Sequence, residues 1–187
     1  MTLEVNNMKK MGAVGQKWLK SFHILFGCTW AACGLSLTLM SLFIQPTEGL
    51  QLYGVDISKK FIDDVLVAPA ATGCLLTGVI YSLFTDWGWF KYRWITVKWC
   101  INIFGVIFGT FWLGQWLNTL PPISQMEGLA ALSNPIYLHS KTMNLWGGAF
   151  QNFTVIFAIF ISVFKPWRKQ KQQKIQRKYR DAISITS

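Results

Sequence analysis

Two ionisable side chains, His23 and Lys98, fall inside long apolar stretches of the sequence. His23 lies about one turn into the first stretch, and Gly27 and Ala31 follow it on the same helical face. Lys98 lies about one turn into the third stretch, and Asn102 follows one turn later. An ionisable group within hydrocarbon is expected to face a protein interior and to serve a function. We therefore interpret His23, Lys98 and Asn102 as a candidate inner polar pocket.

Both ionisable residues also have simpler explanations. Lys98 could extend its aliphatic stem along the lipid and place its ammonium group among the headgroups. His23 could make one hydrogen bond within a packed interface and bind nothing. The sequence leaves these alternatives open.

A second polar set lies toward the other end of the apolar stretches. Asp63 and Asp64 precede the second stretch and are expected to cap its helix. Asn144, Gln151 and Asn152 fall within two turns of the fourth stretch. Carboxamides in hydrocarbon need partners, either through interhelical hydrogen bonds of about 1 kcal/mol each or by lining a cavity for a polar ligand. The sequence thus predicts an outer polar cluster of these five residues.

Small residues recur at intervals of four along the predicted helices. Such spacing lets helix backbones approach closely in lipid. The candidate packing positions are Gly27, Ala31, Ala70, Cys74, Gly78, Gly105 and Gly109. We favour packing within one bundle over a dimer interface, which is the alternative function of such stripes.

The sequence carries no recognisable catalytic set. It has no H-E-x-x-H motif, phosphate-binding loop or dinucleotide fingerprint, so we assign no catalytic residue and no metal ligand, and we lean against an enzyme. Its histidines, His23 and His139, are expected on opposite sides of a bilayer about 30 Å thick. A haem held by both histidines is therefore excluded, and haem b bound through one histidine is the alternative that stays open.

Four apolar stretches position all of these residues. The chain has 187 residues, of which 14 % are charged, against roughly 25 % in soluble domains. A membrane-crossing helix needs about 20 mostly apolar residues, and the matching windows are about residues 19–44, 65–84, 94–116 and 145–164. In lipid the backbone satisfies its polar groups within helices. We predict an all-α bundle of four transmembrane helices over residues 18–165, after a leader at 1–17 and before a tail at 166–187.

The distribution of basic residues predicts the orientation of the bundle. The leader, the loop between the second and third helices and the tail, counted together with the adjoining Lys20, Lys98 and Lys165, hold 15 of the 18 Lys and Arg residues. Such residues favour the cytoplasmic side, so both termini are expected in the cytoplasm. The net charge of +10 then reports topology, not nucleic-acid binding.

The basic tail also predicts a partner of its own. Between residues 165 and 180 it has the pattern of an amphipathic helix that lies on anionic lipid headgroups. A solvated charged tail is the alternative.

Three segments carry a resemblance to a known family. They are residues 17–25 (KWLKSFHIL), 67–78 (VAPAATGCLLTG) and 87–98 (WGWFKYRWITVK). Together they resemble a bacterial family of integral membrane proteins, domain-of-unknown-function family 2269. The first segment is also similar, more distantly, to the membrane domain of copper-resistance D proteins. The resemblance covers about residues 17–118 and implies a four-helix protein of the bacterial inner membrane. It marks His23, Pro69, Gly78 and Lys98 as motif positions and assigns them no role.

These observations support three functional hypotheses. The first is a non-enzymatic bundle that binds a small ligand, an ion or a partner protein through its polar interior. The second is a redox subunit that carries one haem b or handles copper. The third is an oligomeric transporter or channel, because four helices are few for a monomeric transporter.

Overall fold

The computed structural model of the protein describes residues 11–85 and 93–164, and all regular structure within these ranges is helical. The α-helices are α1 (Ala13–Phe43), α2 (Gly49–Ile62), α3 (Ala68–Phe84), α4 (Arg93–Phe108), α5 (Gly114–Glu127) and α6 (Pro135–Phe164). A π-helical turn, Asp63–Val67, joins α2 to α3, and another, Gly109–Leu113, joins α4 to α5. A 3₁₀-helix, Gly128–Ser133, follows α5.

These elements form four continuous helical spans that are long and apolar enough to cross a membrane. The spans are Ala13–Phe43, Gly49–Phe84, Arg93–Ser133 and Pro135–Phe164. Their most apolar windows have mean hydropathies from 1.4 to 1.7, and at most 22 % of the residues in a window are buried within the protein. Most of this apolar surface therefore faces outward, as a lipid-solvated protein requires. The prediction of an all-α chain with four such helices is confirmed.

The outward face of α6 illustrates this arrangement. Phe153, Phe157, Phe160 and Phe164 follow one another at intervals of three or four residues and are all exposed, Phe164 to 74 %. In water, such a stripe would be a large apolar patch of the kind that monomeric soluble proteins avoid. In a bilayer it is the surface that contacts acyl chains.

Two spans are much longer than the windows predicted from hydropathy. The second and third contain 36 and 41 residues, about 54 and 62 Å at 1.5 Å per residue, whereas the hydrocarbon layer is about 30 Å thick. Their extra lengths, α2 and most of α5, pack against each other and against the first turns of α6. We call residues 45–64 and 117–144 the head, and the opposite end, where α1 begins, the terminal end.

The segments that form the head contain glycine and proline, which in a sequence are signals for loops. Gly128 ends α5 with a φ of 55°, in the left-handed region that favours glycine. A Cβ atom on Gly49 would lie 2.9 Å from the Cα atom of Gly128, so α2 starts where the two backbones meet. Pro121 and Pro122 lie inside α5. Tertiary packing of the head thus overrides these local breaking signals.

The π-helical turn at Asp63–Val67 lies just before a proline of α3. Pro69 occupies the second position of α3 and has no N–H to donate to a preceding carbonyl. The turn immediately before it widens the helix and passes the chain from the head into the membrane-crossing part of the span. Asp63 and Asp64 lie within this turn and make no side-chain capping bond. The prediction that they cap a helix end is therefore not met, because the helix continues through them.

The interior has three apolar levels along the bundle. The level in the head contains Leu52, Leu117, Leu120, Ala131 and Tyr137. The middle level contains Trp30, Ala70, Ala71, Cys74 and Val155. The level at the terminal end contains Trp94, Ile95 and Ile161. The candidate functional residues lie between these levels.

Small residues in the middle level receive aromatic rings from α1. A Cβ atom on Gly105 would lie 2.8 Å from Cη2 of Trp30, and one on Gly73 would lie 2.8 Å from Cε1 of Phe26. No heavy atom lies within 4 Å of the corresponding position on Gly27. Gly105 is therefore required for packing within the chain, whereas Gly27 meets open space.

The other predicted packing positions differ in their burial and in the space around them. Ala70 and Cys74 are buried, and Ala31 packs against the middle level. A Cβ atom on Gly78 would make ordinary contacts with His23 and Trp99, and one on Gly109 would lie 3.3 Å from Nε2 of Gln151.

Candidate functional site

His23 is fixed by a hydrogen bond from α1 to α3. Its Nδ1 atom lies 2.7 Å from Oγ1 of Thr77. The Thr77 hydroxyl proton is directed at backbone carbonyls, with Gly73 O at 2.7 Å and Cys74 O at 3.1 Å. Because a hydroxyl has one proton to donate, Nδ1–H of His23 is the donor to Thr77. The other ring nitrogen, Nε2, has the Sγ atom of Cys74 as a weaker partner at 4.0 Å.

Cys74 and Tyr81 complete the surroundings of the imidazole on α3. The Sγ atom of Cys74 lies 3.9 Å from Nδ1 and 4.0 Å from Nε2 of His23. The Tyr81 ring approaches the imidazole edge-on, with ring centroids 6.3 Å apart. A Cβ atom on Gly78 would lie 3.9 Å from Cε1 of His23, so Gly78 lies beside the ring.

Lys98 on α4 lies on the same side of the bundle as His23. Its charge is close enough to act on both His23 and Cys74, and its side chain is half-buried. Asn102, one turn further along α4, interacts with Cys74. The Oδ1 atom of Asn102 is buried and has no hydrogen-bond partner. The structure thus brings the three predicted inner residues together.

We call this group the histidine cluster: it consists of His23, Cys74, Thr77, Lys98 and Asn102. The four-residue spacing of small residues indicates Cys74 only as a packing residue, and nothing in the sequence marks Thr77 as a site residue. Thr77 lies four residues from Gly73 on the predicted helix. That spacing places Thr77 on the same face of α3 as Gly73. Only the register between α1 and α3 shows that this face meets His23.

The predicted outer polar residues do not form a single cluster. Asp64 is exposed at the edge of the head, where Nζ of Lys60 lies 2.7 Å from its Oδ2 atom and 2.7 Å from Oδ1 of Asn118. Asp63 is half-buried in the adjacent π-helical turn. These two carboxylates belong to the head surface and are separate from the carboxamides of α6.

The carboxamides line the inner face of α6. Asn144 donates from Nδ2 to the Leu113 carbonyl at 3.1 Å. The carbonyl belongs to a π-helical turn, a local departure from α-helix in which side chains often satisfy backbone groups. Here Asn144 acts as interhelical glue.

Gln151 and Asn152 are buried, with 6 % and 7 % of their surfaces exposed. The Oε1 atom of Gln151 and the Oδ1 atom of Asn152 have no hydrogen-bond partner. Gln151 lies beside Gly109, and Asn152 lies beside Gly34, whose Cβ atom would be 3.0 Å from Oδ1. We call Asn144, Gln151 and Asn152 the carboxamide stripe. Along the helices the stripe lies on the head side of Trp30 and Val155 of the middle level, whereas His23, Lys98 and Asn102 lie on the terminal side.

The head contains a buried polar network that the sequence analysis did not assign. Tyr137 is fully buried, and its hydroxyl lies 2.9 Å from Oδ2 of Asp56. Ser124 is in contact with Asp56, and the charges of Lys59 and Lys141 act on it. Leu52, Asp56 and Lys59 follow one another at intervals of four and three residues, which places them on one face of α2. This pattern identifies a buried face only once residues 49–62 are known to be helical.

His139 lies on the exposed surface of the head, near the start of α6, whereas His23 lies in the opposite half of the bundle. The four cysteines are free thiols, and Cys28 and Cys100 are exposed. Within residues 11–85 and 93–164, no three or more His, Cys, Asp or Glu side chains are grouped so that they could hold a metal ion.

The site thus combines an oriented imidazole, a thiol, an ammonium group and an unpartnered carboxamide oxygen at one level of a lipid-exposed helical bundle. These groups can donate and accept hydrogen bonds and can offset a negative charge. No protein-family model matches the chain, and neither does a curated protein or a solved structure.

Proposed function

We propose that the chain is a multi-pass membrane protein whose histidine cluster binds a small ligand or ion, without catalysing a reaction. The observation that carries this proposal is the unpartnered Oδ1 atom of Asn102, buried near Cys74, His23 and Lys98. A buried polar atom without a partner costs about 1–3 kcal/mol. A ligand that donates a hydrogen bond to this oxygen removes that cost.

The alternative of structural glue accounts for only part of the cluster. The bond between His23 and Thr77 joins α1 to α3 and is sufficient glue for those two helices. Glue does not explain why Lys98 faces the same region, since an ammonium group in a bundle interior is costly unless it is paired. A bound ligand would give both the Lys98 ammonium and the Oδ1 atom of Asn102 a polar partner.

The proposal is tested by extracting and identifying the small molecules that are bound to the purified protein. The full chain is purified in mild detergent and denatured in organic solvent, and the released small molecules are identified by mass spectrometry. We expect one compound in stoichiometric amount from the wild type and its loss from His23→Gln and Lys98→Gln. His139→Gln, on the exposed head surface, is the matched control. Equal recovery from all four proteins would contradict the proposal.

A redox subunit with one haem b is the second candidate. It is favoured by the orientation of His23, because a hydrogen bond at Nδ1 leaves Nε2 as the nitrogen available to an iron. An absorbance spectrum of the purified protein decides this point. A Soret band that disappears in His23→Gln supports haem, and a spectrum without the band excludes it.

The orientation follows from the basic residues and is part of the same proposal. With both termini in the cytoplasm, the histidine cluster opens toward the cytoplasmic side and the head lies outside, in the inner membrane of a bacterium if the family resemblance holds. The predicted contact of residues 166–187 with anionic lipid concerns a segment outside the described residues and stays a prediction. Labelling of a cysteine introduced at Ser58, on the exposed head, from outside intact cells tests the orientation. A cysteine at Ser58 that reacts only after the cells are opened would contradict it.

A further inference from the structure

We propose that the ligand of the histidine cluster is a small organic anion that also carries a hydrogen-bond donor, such as a hydroxycarboxylate. This inference rests on the proposed ligand-binding function and specifies its chemistry. It depends on three groups, namely the Lys98 ammonium, the Nε2 atom of His23, whose neighbour is the weakly bonding thiol of Cys74, and the unpartnered Oδ1 of Asn102.

The negative charge of the ligand is inferred because, among residues 11–85 and 93–164, no carboxylate acts on Lys98. In the described part of the chain, Cys74 is the acidic group whose charge acts on Lys98. The Asp56, Asp63 and Asp64 carboxylates all lie in the head, on the far side of the middle apolar level. A positive charge inside a bundle is expected to have an opposite charge beside it. An anionic ligand supplies that charge.

The donor follows from Asn102. Its Oδ1 atom can only accept a hydrogen bond, and a simple carboxylate has no proton to give it. A hydroxyl or an amine on the ligand can donate to Oδ1 while the carboxylate stays with Lys98. The two groups lie one helical turn apart on α4, a spacing of about 6 Å that suits a molecule of only a few atoms.

His23 supplies a third contact, which can accept or donate a hydrogen bond according to the protonation of Nε2. Because Nδ1 is engaged by Thr77, Nε2 is the ring nitrogen that a ligand would contact, in place of the Cys74 thiol 4.0 Å away, with either a lone pair or a proton. The ring accepts from a hydroxyl in the first state and donates to a carboxylate in the second. Its fixed orientation reduces the entropy that is lost on binding.

Glycolate and acetate form the matched pair of probes, since both are small carboxylates and glycolate adds one hydroxyl. The full chain in detergent is titrated with each sodium salt at constant ionic strength, with chloride as the replaced anion, and the midpoint of thermal unfolding (Tm) is recorded. We expect saturating glycolate to raise Tm by about 4 °C or more. We expect acetate to bind about fivefold more weakly, the effect of one lost hydrogen bond.

Three variants assign the effect to the cluster. Lys98→Met is expected to weaken glycolate binding by about tenfold or more, while Lys60→Met, which removes a charge from the head surface, leaves it unchanged. Asn102→Leu is expected to abolish the preference for glycolate over acetate. If Lys98→Met does not yield folded protein, Lys98→Gln takes its place.

Equal Tm shifts with glycolate, acetate and chloride in the wild type would overturn the inference, and so would glycolate binding that survives both Lys98 substitutions. A neutral or cationic compound released from the wild type but not from His23→Gln would also overturn it, while leaving the proposed function intact. Failure of the proposed function itself shows as equal recovery of extracted compounds from wild type and variants.

Discussion

The hydroxyl of Tyr137 donates a hydrogen bond to Oδ2 of Asp56 across 2.9 Å, and it joins two helices at positions 81 residues apart in the sequence. Both side chains are buried in the head, at 0 % and 3 % exposure. The bond therefore ties α2 to α6 in an interior shielded from solvent, where the loss of one partner leaves the other without compensation.

We expect Tyr137→Phe to lower the free energy of unfolding by about 2 kcal/mol, the range for hydrogen bonds to charged groups. The phenyl ring preserves the packing against Leu52 and Leu120, so the change reports the lost hydroxyl. The measurement is chemical unfolding in mixed micelles. Asp56→Asn combined with Tyr137→Phe provides the control, since the double variant is expected to lose less than the sum of the single ones. Strict additivity would show that the two groups do not interact.

Substitution of Thr77 tests the orientation of His23. Thr77→Val keeps the shape of the side chain and removes the acceptor for Nδ1–H, and we expect a loss of about 1 kcal/mol of stability. Thr77→Ser retains the hydroxyl and is expected to stay close to wild type. Nitrogen-15 NMR of labelled histidine is the second measurement, because loss of the bond changes the Nδ1 signal of His23 and leaves that of His139 unchanged. Identical spectra for Thr77→Val and wild type would contradict the assigned bond.

The contact between Gly105 and Trp30 predicts a contrast between two glycines. Gly105→Ala places a methyl group 2.8 Å from Cη2 of Trp30, and overpacking of this kind costs about 1–3 kcal/mol. Gly27→Ala meets open space and is expected to be neutral or slightly stabilising, because alanine is the better helix former. Thermal unfolding of both variants in the same detergent checks this. A Gly27→Ala variant that loses more stability than Gly105→Ala would contradict the packing described for the middle level.

Asn144 predicts an effect on the π-helical turn of the third span. Asn144→Leu removes the donor to the Leu113 carbonyl and leaves that carbonyl unpaired in an apolar setting, so we expect a loss of about 1 kcal/mol and faster amide exchange in residues 109–118. Gln115→Leu, on the exposed face of α5, is the control. Unchanged exchange in this segment would show that Asn144 does not support the turn.

Hydropathy and periodicity were sufficient to predict the four spans and the inward direction of His23. Both signals are local, since hydrocarbon length and helical repeat act within one segment. The head was not predicted, because Pro46, Gly49 and the two prolines of α5 are breaking signals that the packing of α2 on α5 overrides. The interhelical partners, such as Thr77 for His23 and Tyr137 for Asp56, depend on the register between segments far apart in the sequence. That register is set by the fit of Phe26 and Trp30 over glycines, a relationship that no single segment contains.

The packing of the Trp30 indole against Gly105 affects how a membrane voltage would be distributed along the bundle. Apart from the Cys74 thiol and the indole N–H of Trp30, the side chains of the middle level are apolar, whereas polar groups flank it, with His23 and Lys98 toward the terminal end and Gln151 and Asn152 toward the head. In an insulating layer between two polarisable ones, a voltage across the bilayer would fall most steeply at the indole. The Lys98 charge lies on the terminal side of the indole, so this drop would separate it from the buried carboxamides Gln151 and Asn152.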